Sequence, residues 1–509
     1  MNQLKVGAVL SYVNIVLSIG VGLVYTPFMM RTLGQSEYGL YALVGSVSAY
    51  LNILDMGLAN TLVRYTARNR AIGTKKREAE LNGLFLTVYT IIGLLALLAG
   101  YVVYQNFNLI FGHSLSTEEM SRAEIMMIIL IFNIALTFPF SVFASILQAY
   151  ERFIFLRVIN IVRSLAMPVI MVPLLMWGYG SVTMVAIAVL LNIWSLLMNF
   201  WYCCKKIHVH FAWGHFETGF LKEIIVYSFF IFLNAVMDKV YWGSGQFVLG
   251  VTSGTLQVAV YAVVMQFLQM FMQFSTAISS VFLPKVTMLV AKGVNSRDLT
   301  LFMTRIGRLQ MYLIGMIISI FFLLGKNFIV LWAGKGYSEA YSMILLLMFV
   351  MSISLVQNVG ISILLAMNLN KYRMTVYTLC AVLCFIGSFP AAKQLGGMGC
   401  ALMTAMAIFV STGFFMNRYY KQKIGIDIGY FWHEIGKIWC FILMFTMVAG
   451  VQKYFYGDID SWQILVLHVL CYVGLYGLIV YKGCMNCYEK NLIDGVFCRF
   501  SKRKGQVIK

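Results

Sequence analysis

Three ionisable side chains sit where hydrocarbon would penalise them. Asp55 lies in LNILDMGLAN, residues 51–60, inside an apolar run that begins near Tyr38. Asp238 and Lys239 are adjacent in a second such run. A charged residue at the centre of a spanning helix costs roughly 2.5 to 3.5 kcal/mol on insertion scales, so it is a functional candidate by default. The chemistry open to these groups is proton transfer, cation binding or attraction of an anionic solute. Asp55 also has a structural reading, as a cap or as the partner of Arg64. Asp238 and Lys239 read alternatively as a neutralising pair, but adjacent residues on a helix do not face one another. Each needs a partner on another helix, or water.

Polar residues accompany these charges at spacings of three and four, the signature of one helix face. Ser11, Asn14, Ser18 and Tyr25 share one face, and Ser48 and Asn52 lead to Asp55. Tyr227, Asn234 and Tyr241 flank Asp238, and Gln266, Gln269, Gln273, Thr276 and Ser280 form a further stripe. Any single hydroxyl reads as interhelical glue, worth on average about 0.6 kcal/mol. Three glutamines on one face are different, because each amide needs several partners. A water-filled cavity satisfies them together.

The elements that carry these stripes must be membrane spans. The chain has 509 residues, 61% of them hydrophobic and 11% charged, with a mean hydropathy of +0.83. Soluble domains carry about 25% charged residues. The expected fold is all-α and polytopic. Fourteen apolar runs of spanning length are read, among them 8–30, 39–63, 154–176, 223–249, 256–283, 435–454 and 462–481. The first is too long for the core of a signal peptide. The six prolines fall inside or at the ends of apolar runs, where neighbouring helices re-satisfy the freed backbone.

Lys and Arg set the expected orientation. With the N-terminus inside, the inner segments take 31 of the 38 basic residues and the outer loops six, leaving Lys239 alone within a span. No arginine is expected at mid-depth. The net charge of +19 then reads as topology plus attraction to an anionic inner leaflet, and no nucleic acid is implied.

An internal repeat supports the count. SILQAYERFIFLRVINIV from Ser145 matches SILLAMNLNKYRMTVYTL from Ser362, an offset of 217 that also places Gly180 on Gly397. Leu33-Gly34 and Tyr41-Ala42 resemble Leu249-Gly250 and Tyr261-Ala262 at a slightly different offset. The expected organisation is a six-helix bundle over 1–204, a cytoplasmic linker over 205–222, a second six-helix bundle over 223–420, and two extra helices with a basic tail over 421–509. Such repeats hold substrate near the midplane.

At this point the first two spans resemble a known pattern. PFMMRTLGQSEYGLYAL followed by ILDMGLANTLVRYTAR is similar to the amino-terminal signature of Wzx-type lipid-linked oligosaccharide flippases, of the multidrug/oligosaccharidyl-lipid/polysaccharide exporter (MOP) superfamily. The matching positions are Arg31, Leu33-Gly34, Tyr38-Gly39 and Asp55-Met56-Gly57-Leu58. The resemblance implies alternating access of two bundles, moving an undecaprenyl-diphosphate-linked oligosaccharide across the bacterial inner membrane, with both termini cytoplasmic. It implies export for O-antigen, capsule or exopolysaccharide, with a polysaccharide polymerase and chain-length machinery as partners. It also implies that the two extra helices guide the prenyl chain. Lys239 would then meet the diphosphate, Arg64 and Lys285 would recruit at the cytoplasmic rim, and Arg31 would receive at the outer one. Arg64 and Lys285 also read simply as topogenic charge. Tyr12, Tyr25, Tyr241 and Trp242 read either as stacking platforms for sugars or as packing.

Other classes fit less well. No phosphate-binding loop is present, so ATP hydrolysis by this chain is not expected. Coupling to H+ or Na+ through Asp55 or Asp238 is the alternative, and no cofactor or metal is expected. An ion-coupled small-molecule exporter of the same superfamily is the runner-up. A membrane glycosyltransferase or polymerase would need a catalytic constellation in an outer loop. The longest such loop, 105–123, offers only His113, Glu118, Glu119 and Arg122. His208, His210 and His215 read as a solvated linker. Cys484-Met-Asn-Cys487 has the spacing of a metal or redox pair, but no second pair accompanies it.

Overall fold

The computed structural model describes residues 3–55, 57–213, 218–367, 369–456 and 461–491, and all regular elements among them are helical. The first elements are α1 (Gln3–Leu33), α2 (Gln35–Leu51), a 3-10 turn (Asn52–Asp55) and α3 (Leu58–Ile72). Then come α4 (Lys75–Gln105), the short α5 (Phe107–Phe111), α6 (Thr117–Ala149), α7 (Phe153–Met176) and α8 (Ser181–Tyr202). They are followed by α9 (Thr218–Thr252), α10 (Gly254–Ala291), α11 (Ser296–Trp332), α12 (Ala340–Val356), α13 (Asn358–Ala366) and α14 (Asn370–Leu395). The last are α15 (Gly397–Ile408), continued through π-helical turns and α16 (Asn417–Tyr419) to Ile424, then α17 (Ile428–Tyr456) and α18 (Trp462–Gly483). Thirteen helical stretches among the described residues are long and apolar enough to span a membrane. The remaining expected span, 223–249, falls on α9.

Local sequence explains the ends. Ser116 and Glu119 form a reciprocal capping box at the start of α6, and Thr74 accepts from the Arg77 N–H at 3.3 Å at the start of α4. All six prolines lie inside helices. The second span departs from the continuous helix expected over 39–63. It runs from Gln35 to Ile72 and is broken between α2 and α3. The cause is Gly57, whose φ of 66° lies in the left-handed region that glycine enters without a Cβ penalty. Asp55 therefore ends a 3-10 turn rather than standing inside regular helix.

The chain forms two compact units, residues 1–262 with 381–400, and residues 263–380 with 401–509. In the first, α6 packs against α4 and α8, and α1 packs against α7. α2 runs at close range against α9 and the start of α10: a Cβ on Gly250 of α9 would stand 2.2 Å from the Leu43 side chain, and one on Gly39 would stand 2.0 Å from the carbonyl oxygen of Thr255 on α10. At the same end Glu119 accepts from Thr255 Oγ1 at 2.8 Å and from Ser36 Oγ.

In the second unit α11 is the central post, packed by α12, α17 and α18. Met303, Ile306, Met311, Ile435, Ile438, Ile442, Tyr472 and Tyr476 belong to one buried cluster around it. Inside this apolar surround Arg308 and Glu489 are 7% and 1% exposed. Arg308 grips Glu489 with two donors, at 2.7 and 3.0 Å, and reaches Glu434 at 2.9 Å. It also donates to the Cys484 carbonyl at 2.9 Å. A buried guanidinium is tolerated only when paired and hydrogen-bonded in this way. The cluster ties the chain beyond α18 to α11 and α17.

Candidate functional site

The polar residues of the first unit converge at mid-span. Arg163 is ten residues along α7 from Phe153, about 15 Å at 1.5 Å per residue. Half the thickness of a hydrocarbon core is also about 15 Å. Asn192 is near the middle of α8, Asn133 sits at the middle of α6, and Ser18 sits at the middle of α1. Arg163 Nη1 donates to Asn192 Oδ1 at 3.0 Å. Asn192 Nδ2 in turn donates to Asn133 Oδ1 and to Thr137 Oγ1, both at 2.9 Å. One amide thus links three helices and fixes where the guanidinium stands.

Beside this network lies a cavity of about 480 Å³ between α1, α7 and α8. Its lining includes Ser18, Tyr25, Arg163, Ser164, Pro168 and Asn192. Pro168 brings no N–H, so the Ser164 carbonyl four residues back loses its helical donor. Arg163 remains exposed, and no carboxylate among the described residues lies within ion-pair distance of it. The Tyr25 hydroxyl is buried with no hydrogen-bond partner among the described residues. The cavity therefore offers a cation with spare donors, hydroxyls and a freed carbonyl, within an apolar span.

Arg163 corrects the expectation that no arginine stands at mid-depth. The charge tally leaves it among the inner-side residues, although its position falls within the expected span 154–176. An arginine this deep in an apolar run is a readable signal. Its partner Asn192 is 29 residues away, and only the packing of α7 on α8 identifies it.

The other expected site residues fall into two sets. In the first unit, α2 meets α9 at Leu43 against Gly250 and at Tyr50 against Phe247, with ring centroids 5.9 Å apart. The 3-10 turn that ends at Asp55 also packs on α9. Asp238 and Lys239 are exposed. Asn52 turns back to the Ser48 carbonyl at 3.1 Å. Asn14 is half-buried, and its amide oxygen has no hydrogen-bond partner among the described residues. The side chains of Asp55, Tyr12 and Asn234 lie outside the described residues. Arg31 is exposed in the last turn of α1, and Arg64 is exposed on α3 beside the Tyr65 ring, 6.0 Å from its centroid. Tyr241 is buried and meets Trp242 edge-on at 5.2 Å.

In the second unit Gln269 and Gln273 are exposed on α10 and Gln266 is half-buried. The buried polar face of this helix is instead Ser275, which accepts from Asn358 at 3.0 Å. Lys285 is exposed, with Nζ 5.5 Å from the Phe302 ring centroid. At Cys484 burial holds the thiol above its ordinary value.

The helices, their breaks and their apolar length define the class as a polytopic all-α membrane protein. The chain belongs to the polysaccharide biosynthesis protein family, whose model matches residues 4–290. It is 22% identical over 502 residues to the uncharacterized membrane protein EpsK of Bacillus subtilis (strain 168), covering 96% of this chain and 97% of that protein. Its fold is similar to that of the lipid II flippase MurJ in an inward closed conformation, with a TM-score of 0.72 at 13% identity, over 94% of this chain and 99% of that one. It is also similar to an inward-facing multidrug resistance MATE family transporter of the MOP superfamily, with a TM-score of 0.59 at 14% identity, over 81% of this chain and 98% of that one.

Proposed function

We propose that the protein is a flippase that moves undecaprenyl-diphosphate-linked oligosaccharide units across the bacterial inner membrane for surface polysaccharide export. The observation that carries this reading is the cavity at mid-span in the first unit, floored by Arg163, in a chain of the polysaccharide biosynthesis family. Hydrocarbon alone would leave its polar groups unsatisfied. A polar solute or water must occupy it. A diphosphate sheds water to cross, so cationic and amide donors must replace that water.

In this reading both termini are cytoplasmic, and alternating access carries the polar head while the prenyl chain stays in lipid. Arg64 and Lys285 recruit at the inner rim and Arg31 receives at the outer one. Gln266, Gln269 and Gln273 hydrate or bind the sugars. Asp55, at the turn that packs on α9, and Asp238, on α9, are the candidates for H+ or Na+ coupling, since intramembrane carboxylates are functional candidates by default. The chain carries no chemistry beyond transport. A polymerase and chain-length machinery act downstream.

The test is a deletion strain, with lipid-linked oligosaccharides extracted and surface glycan imaged together. Loss of one surface glycan with its completed lipid-linked unit accumulating supports the flippase and names its cargo. Unchanged glycans with altered sensitivity to small molecules would replace it with an ion-coupled exporter.

A further inference from the structure

We propose that the cavity between α1, α7 and α8 is an oxyanion site, with Arg163 as its cation and Asn192 as the group that aims it. As a substrate site this rests on the flippase reading, and as an anion site it does not. The ligand class is an oxyanion on a hydroxyl-bearing group, supplied either by a phosphate or by the carboxylate of an acidic sugar.

Three observations meet here. The first is charge without compensation: Arg163 makes one hydrogen bond, to Asn192, and pairs with no carboxylate among the described residues. A guanidinium has five donors in a planar fork that matches an oxyanion two at a time. The second is space with the right lining. A cavity of about 480 Å³ is the size of small-molecule sites in general. It has room for a sugar phosphate. Ser18 and Tyr25 bring hydroxyls, and the Ser164 carbonyl freed by Pro168 can accept from a sugar hydroxyl.

The third is asymmetry. At the repeat offset of 217 residues, Arg163 corresponds to Cys380 and Asn192 to Phe409. Features needed to build each half recur in both, as Gly180 and Gly397 do at the starts of α8 and α15. The Arg–Asn pair occurs once. A scaffold role would call for it in both halves, and a ligand role calls for it only where the ligand sits.

The test is titration calorimetry on the purified full-length protein in detergent, with inorganic pyrophosphate, glucuronate and glucose as probes. Anion binding without glucose binding, weakened at least about tenfold in Arg163→Gln, supports the site. Pyrophosphate alone binding names phosphate as the source, and glucuronate alone names an acidic sugar. Asn192→Asp places a carboxylate against Arg163, so it should abolish anion binding in a protein that still unfolds cooperatively, at a lower temperature for the loss of the amide's bonds to Asn133 and Thr137. That variant keeps the test open if Arg163→Gln does not fold. No anion binding, or equal binding in a folded Arg163→Gln or Asn192→Asp, overturns the proposal. A deletion strain that accumulates no lipid-linked unit, beside a purified protein that binds the anion through Arg163, sinks the flippase reading and leaves the site standing.

Discussion

The carboxylate of Glu37 accepts the backbone N–H of Ser181 at 2.8 Å and its hydroxyl at 3.0 Å. Glu37 follows Gly34 at the start of α2, and Ser181 opens α8. The repeat builds the same contact again: Gln257, three residues after Gly254, accepts the N–H of Gly397 at 3.1 Å, at the start of α15. Gly34 and Gly254 both have a φ of 79°. A helix N-terminus presents unpaired donors, and an oxygen from a neighbouring helix can satisfy them. The internal repeat is thus visible as a hydrogen bond as well as a sequence match.

Glu37→Gln should be tolerated, because glutamine does this work at position 257. Glu37→Ala should lower stability by about 1 kcal/mol, the usual effect of losing a cap, and it also removes the partner of Arg122 at 3.5 Å. Thermal unfolding of the two variants in detergent checks the order. Equal melting of both would mean that the cap contributes nothing.

Removing Arg308 should be the most damaging single change in the second unit. It would leave Glu489, 1% exposed, charged and unpaired. Breaking a buried pair from one side costs about 3 to 5 kcal/mol. Arg308→Met should reduce folded yield sharply, and the double variant with Glu489→Leu should recover part of it. A yield in the single variant matching wild type would show that Glu489 is not buried as described.

Two glycines are needed for different reasons. Gly57→Val should cost about 1 to 2 kcal/mol, because a β-branched residue is forced to a positive φ. Gly39→Ala should be worse, because its Cβ would meet backbone at Thr255 at 2.0 Å and the seam between α2 and the start of α10 would have to open. Limited proteolysis of both variants, read against wild type, orders them.

Asp55→Asn and Asp238→Asn should each leave expression near normal and change how transport responds to pH or Na+. A flipping assay in liposomes with an imposed gradient measures it. If both variants retain transport and its pH dependence unchanged, the coupling role assigned to this turn is lost.

The sequence by itself determined the membrane class, the spans, the repeat and the family signature. Each depends on properties local to a stretch of chain: about twenty apolar residues cross a bilayer wherever they fold, and a carboxylate in such a run stands out unaided. Even the break after Asp55 has its residue in Asp-Met-Gly-Leu, where Gly57 takes the left-handed position. Tertiary structure alone decided which polar groups meet. Arg163 finds Asn192 29 residues on, and Arg308 finds Glu489 181 residues on. Neither pairing leaves a periodic trace, because each depends on which helices pack side by side and at what register. The stripe of α10 shows the same limit. Spacing put Gln269 and Gln273 on one face, and packing left that face exposed while Ser275 was buried. Hydropathy places a residue in the membrane, and only the contacts between helices decide whether it meets lipid, another helix or a cavity.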